Sequence, residues 1–86
     1  MKIRITVTVA DWFEDRTIEL NTSLYDEYKL VAKGNNMIWS LECFSKGKYI
    51  THYDLAPTGK ERINEIIKEL NITEIKENIY CKVNQN

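Results

Sequence analysis

Hydrophobic and polar positions alternate with a period of two along most of this chain and switch once, past the middle, to the helical period. Ile3, Ile5, Val7 and Val9 alternate with Lys2, Arg4, Thr6 and Thr8. β-Branched residues confined to one phase predict a strand with one buried and one wet face. Residues 11–15 break the alternation and carry an aromatic pair, Trp12 and Phe13, before Ile18 and Leu20 resume on one side. The pattern predicts a β-hairpin from residues 2–10 and 16–20.

Residues 23–33 satisfy two patterns. As a helix, Ser23 would cap it, Leu24, Tyr28 and Val31 would share a face, and Gly34 would end it. As a strand, Tyr28, Leu30 and Ala32 alternate with Lys29, Val31 and Lys33, and Gly34-Asn35-Asn36 makes the turn. The strand is favoured because the next segment is itself a strand. There Met37, Trp39, Leu41 and Cys43 alternate with Ile38, Ser40, Glu42 and Phe44, and apolar residues on both phases suggest cover on both faces. Ser45-Lys46-Gly47-Lys48 reads as a turn in which Gly47 supplies positive φ. The return strand puts Tyr49, Thr51, Tyr53 and Leu55 on one side and Ile50, His52 and Asp54 on the other.

Pro57 closes this run and the period changes. Thr58 and Glu61 have the spacing of a capping box. Ile63, Ile66, Ile67 and Leu70 recur at i, i+3, i+4 and i+7, which defines one face of a helix over residues 59–70, with Asn71 as its C-terminal cap. Ile72, Ile75 and Ile79 carry an apolar rhythm through a short turn or helical piece into a last strand at Ile79, Cys81 and Val83. Together these elements predict an α+β fold. A mainly antiparallel sheet of five to six strands would carry one C-terminal amphipathic helix packed on a face.

Composition narrows what such a fold is for. Eighty-six residues make one domain, since domains average ~100–150 residues, and one so small gains from oligomerisation. Hydrophobic content of 43% and charged content of 29% suit a folded chain. The net charge of −1 lacks the basic excess of a general nucleic-acid binder. No apolar run reaches the ~20 residues that span a bilayer, and the N-terminal alternation is unlike a signal peptide. A cytoplasmic protein is expected. Ile, Lys and Asn are abundant while Arg, Ala, Pro and Gly are sparse, a bias of AT-rich bacterial or phage genomes.

Candidate chemistry is thin. His52 and Asp54 share a strand phase, and Cys43 or Ser45 across the hairpin is the only local nucleophile; an exposed histidine beside an aspartate is the simpler reading. Cys43 and Cys81 read as reduced core residues, and with one histidine they lack zinc-ligand spacing. Asp11, Glu14 and Asp15 cluster where turns usually carry acids. No glycine-rich phosphate loop occurs. No catalytic residue, metal site or cofactor is therefore assigned, and the chain is expected not to be an enzyme.

Aromatic residues are the suggestive class. Five tyrosines and two tryptophans exceed what one small core needs, and these types dominate binding hot spots. Trp12, Phe13, Tyr25 and Tyr28 are the candidate protein-binding residues. Glu61, Glu65 and Glu69, spaced i, i+4, i+8, add an acidic stripe on the helix that could meet a basic partner.

The run from Lys48 to Ile63 resembles the wing strand and following helix of winged-helix transcription regulators: a basic strand leading to Leu55, a short turn with Gly59, and a helix. The resemblance implies that Lys46 and Lys48 touch a DNA backbone. That family has a helix-turn-helix ahead of the wing, where this chain reads as strands. The expectation is thus a small protein-binding module, of the kind found as phage- or mobile-element-type regulators or inhibitors of a host protein. A DNA-binding regulator using a wing-like hairpin (residues 45–55) is the alternative, and the subunit of a homo-oligomer, such as a homodimer, is a second.

Overall fold

A computed structural model describes residues 4–10, 14–33, 38–56, 59–76 and 79–81. In β1 (Arg4–Val9) the alternation is obeyed residue by residue, with Ile5, Val7 and Val9 buried and Arg4, Thr6 and Thr8 exposed. β2 (Arg16–Asn21) pairs with it antiparallel from Arg4↔Asn21 to Val9↔Arg16, which sets buried Leu20 opposite Ile5. The expected hairpin is present. Asn21 then accepts the Ser23 N–H on its side chain at 3.1 Å and starts a single 3-10 turn, Thr22–Leu24.

The ambiguous segment is a strand. β3 (Glu27–Lys33) pairs along its whole length with β4 (Ile38–Ser45), from Glu27↔Phe44 to Lys33↔Ile38. Lys46 and Gly47 both hold positive φ, 52° and 77°, the signature of a two-residue hairpin turn whose twist matches its strands. β5 (Lys48–Asp54) returns alongside β4.

Helix α1 (Lys60–Leu70) buries Ile63, Ile66 and Leu70 and half-buries Ile67, as the spacing predicts. Its start differs from the predicted capping box. The N-cap is Gly59, which has no side chain to offer; its carbonyl accepts the Arg62 and Ile63 N–H groups at 3.1 and 3.2 Å. Thr58 lies outside the described residues. The C-terminus closes as expected: Asn71 is left-handed (φ 55°), its N–H donates to Lys68 at 3.2 Å, and the Ile72 N–H donates to Ile67 at 3.1 Å. This pair of bonds is a Schellman motif, and buried Ile72 supplies its apolar contact.

That reversal explains one departure from expectation. The chain emerging from Asn71 forms β6 (Thr73–Lys76), not a turn or helical piece, and pairs with β7 (Ile79–Cys81). A second departure concerns the sheet. Among the described residues seven strands form two antiparallel sheets, β1-β2 and β5-β4-β3-β7-β6, where the pattern predicts one sheet of five to six strands. Among the described residues the sheets meet at one bridge, Val9↔Leu55. There Ala10 N–H donates to Asp54 O at 2.7 Å and Ala56 N–H to Thr8 O at 2.9 Å. The α+β class with mostly antiparallel pairing and a C-terminal helix holds.

The larger sheet has an inner and an outer face. Tyr28 opposite Cys43 and Leu30 opposite Leu41 point inward, where Val7 and Val9 of the hairpin and Ile63 and Ile66 of the helix close over them. Arg62 fixes the helix to the hairpin: its guanidinium donates to the Thr6 carbonyl and pairs with Glu65 at 2.8 Å. The outer face carries the alternate residues; of those whose side chains are described, all but Ser40 are half-buried or exposed. Among the described residues no helix is long and apolar enough to cross a membrane.

Candidate functional site

The β4–β5 hairpin is held to two registers that disagree. Its two-residue turn sets Ser45 opposite Lys48, while the core sets Leu41 opposite Tyr53, one residue out of step. The mismatch is absorbed by a bulge: Cys43 pairs with Thr51 and Phe44 with Tyr49, so Ile50 is the extra residue. Tyr49 is thereby turned to the outer face with Phe44 and His52, away from Thr51 and Tyr53, with which simple alternation grouped it.

An aromatic cluster results. The Phe44 and Tyr49 ring centroids lie 6.0 Å apart and those of Tyr49 and His52 6.2 Å apart. Tyr49 Oη and His52 Nδ1 are hydrogen-bonded at 2.5 Å. Tyr49 remains 49% exposed, with Ile50 at 53% beside it and Ile38 at 44% at the far end of β4. The hairpin tip is braced by Asp26, whose carboxylate accepts the Lys46 N–H at 3.1 and 3.2 Å and whose own N–H donates to Phe44 O. Glu27 and Glu42 stand opposite Phe44 and His52 in register, and Lys29 stands opposite Glu42.

Trp12 and Phe13 lie outside the described residues. Tyr28 is 2% exposed, so its ring packs inside the core rather than facing a partner. Its hydroxyl donates to Thr22 O at 3.4 Å, and burial pushes its pKa well up. Half-buried Tyr25 packs edge-on against it at 5.9 Å. Burial, with a hydrogen bond to Tyr53, raises the Tyr25 phenol to about 12. Both tyrosines belong to the inner side. Glu61, Glu65 and Glu69 are exposed on α1, but Arg62 lies 2.8 Å from Glu65 and 3.6 Å from Glu69, so the acidic stripe is partly neutralised by its own helix. Lys46 and Lys48 are exposed at the hairpin tip.

His52 and Cys43 are not brought together on one face of the hairpin. His52 and Asp54 share the outer face, whereas Cys43 points inward from the same hairpin, fully buried, with its thiol pushed up to about 12 by burial. His52 is engaged by Tyr49 instead. Cys43 and Cys81 flank β3 on opposite faces, through Tyr28↔Cys43 and Lys29↔Cys81, and both are free thiols. No cluster of three or more His, Cys, Asp or Glu positioned for a metal occurs among the described residues.

The aromatic cluster escapes sequence reasoning because bulges break the alternation used to assign faces. Its one signal is the two-residue Lys46-Gly47 turn, which fixes a register incompatible with matching Leu41 to Tyr53. Comparison with protein-family models, with curated proteins and with solved structures gave no match.

Proposed function

We propose that this chain is a non-enzymatic protein-binding module that acts by direct contact through the outer face of the β4–β5 hairpin. The observation that carries the reading is the Phe44–Tyr49–His52 cluster, half-exposed yet held in place by ring contacts and a hydrogen bond. Rigid aromatic area on a surface suits a binding hot spot, because little side-chain entropy remains to be lost on contact. The interleaved Glu27, Lys29 and Glu42 fit a protein partner better than a polyphosphate backbone, which would meet two carboxylates beside the rings. A regulator or inhibitor of another protein, in the cytoplasm of a bacterium or phage-infected cell, is the corresponding role.

Photo-crosslinking tests this. A benzophenone residue in place of Tyr49 should trap a protein partner in extract of the source cells, and one in place of Glu69 should not. Trapping from Glu69 alone would move the surface to the helix.

The wing-like reading keeps one observation in its favour: Lys46 and Lys48 are exposed at the tip of a hairpin that does form. Strands β3 and β4 stand ahead of it. If it holds, the protein retards duplex DNA at low salt and releases it steeply as salt rises, and Lys46→Glu with Lys48→Glu abolishes the effect.

A further inference from the structure

We propose that the partner seated on this face is a second copy of the chain, the two outer faces packing against each other about a two-fold axis between β3 and β4. The inference rests on the protein-contact reading above and supplies the occupant of that site. Its first support is Lys29 and Glu42. They stand directly opposite one another at the centre of the face, half-buried, and neither forms an ion pair with another described residue. In an aligned packing of two such sheets, an axis running along the strands between β3 and β4 brings Lys29 of one copy over Glu42 of the other, and the reverse. The surface is complementary to itself in charge, as an isologous interface requires.

Area is the second support. Five strands at ~4.8 Å spacing and about 20 Å of strand length give a flat face of roughly 500 Å². Roughened by side chains, that is of the order of the ~800 Å² per partner in a standard interface. The same packing lays Phe44 of one copy over the row that holds Glu27 and Lys29 of the other. It also covers Tyr49 and Ile38, two of the four exposed large hydrophobic side chains among the described residues.

Charge reversal distinguishes contact between copies from pairing within one chain. Lys29→Glu leaves two facing carboxylates at this pair on every chain, and Glu42→Lys leaves two facing ammonium groups. Each variant should lose the dimer in sedimentation equilibrium and run at the 10.2 kDa of the monomer, while the wild type runs at about twice that mass. An equimolar mixture of the two variants should recover the dimer, because each chain then offers the other the opposite charge. Repair within a chain cannot produce recovery on mixing. Far-ultraviolet circular dichroism of each variant checks that both remain folded.

A monomeric wild type at millimolar concentration, dimeric single variants, or a mixture that stays monomeric would each overturn the inference. If the wild type is monomeric while benzophenone at position 49 traps a different protein, the contact surface stands and only its occupant is wrong. If position 49 traps nothing as well, the reading of the surface falls with it.

Discussion

Tyr49 and His52 stand three residues apart in β5 yet meet on one face of the sheet, hydrogen-bonded at 2.5 Å. In a regular strand residues three apart point to opposite faces. The Ile50 bulge supplies the missing half-period. The aromatic surface is therefore a product of register conflict: the turn decides one end of the hairpin and the core decides the other.

That origin predicts specific proton contacts. Nuclear Overhauser peaks should link the Tyr49 ring to the rings of both Phe44 and His52. Strong Tyr49–Thr51 side-chain peaks in their place would show an unbulged strand.

The turn itself should respond to substitution in a defined order. Gly47 sits at φ 77° with open space around it, so Gly47→Ala adds backbone strain alone and should cost about 1 kcal/mol. Lys46 also occupies the left-handed region, at φ 52°. Lys46→Asn should stabilise by about 0.5 kcal/mol, since Asn-Gly is the preferred pair for such turns. Urea midpoints of the two variants should move in opposite directions.

The two thiols should be chemically unequal. Cys43 is fully buried with its pKa raised from 9.0 to about 12, and reaction goes through the thiolate. A disulfide-exchange reagent should titrate one thiol, Cys81, in the native protein and both in urea. The same shifts make the fold sensitive to alkali. Cys43 and Tyr25 are held protonated in the folded state and ionise at ordinary values when unfolded, at 9.0 and 10.0. Their contribution to stability is complete below about pH 9 and is lost as pH rises towards 12. Melting temperature should fall across that window.

Ser40 and Leu41 are adjacent in β4 and should behave oppositely. Ser40 is 1% exposed and its hydroxyl has no hydrogen-bond partner among the described residues, so Ser40→Ala removes an unsatisfied polar atom and should be neutral or stabilising by up to ~1 kcal/mol. Leu41, fully buried against Leu30, should cost about 2–5 kcal/mol as Leu41→Ala. Denaturant unfolding of the two variants measures both.

The strands are legible in the sequence because each is locally periodic: Ile5, Val7 and Val9 announce their buried face whatever they pack against. The helix is legible for the same reason, from Ile63 to Leu70. What the pattern does not carry is non-local. Whether β1 and β2 join the larger sheet turns on one bridge, Val9↔Leu55, between residues far apart in sequence. β6 exists because Asn71 reverses the chain and β7 is there to pair with it. The site suffers most from this. Tyr25 and Tyr28 look available by composition, but the register with β4 turns Tyr28 inward against Cys43. Tyr49, grouped by alternation with the inward residues, is turned outward by a bulge.

The contact surface is tested most directly by the affinity of its partner for the wild-type protein and for Tyr49→Ala, measured by titration calorimetry or, where the partner is a second copy of the chain, by dilution calorimetry of the dimer. Loss of a hot-spot ring should weaken binding by on the order of 30-fold, the equivalent of about 2 kcal/mol, with the far-ultraviolet spectrum unchanged. Equal affinities for the two proteins would contradict a binding surface centred on Phe44, Tyr49 and His52.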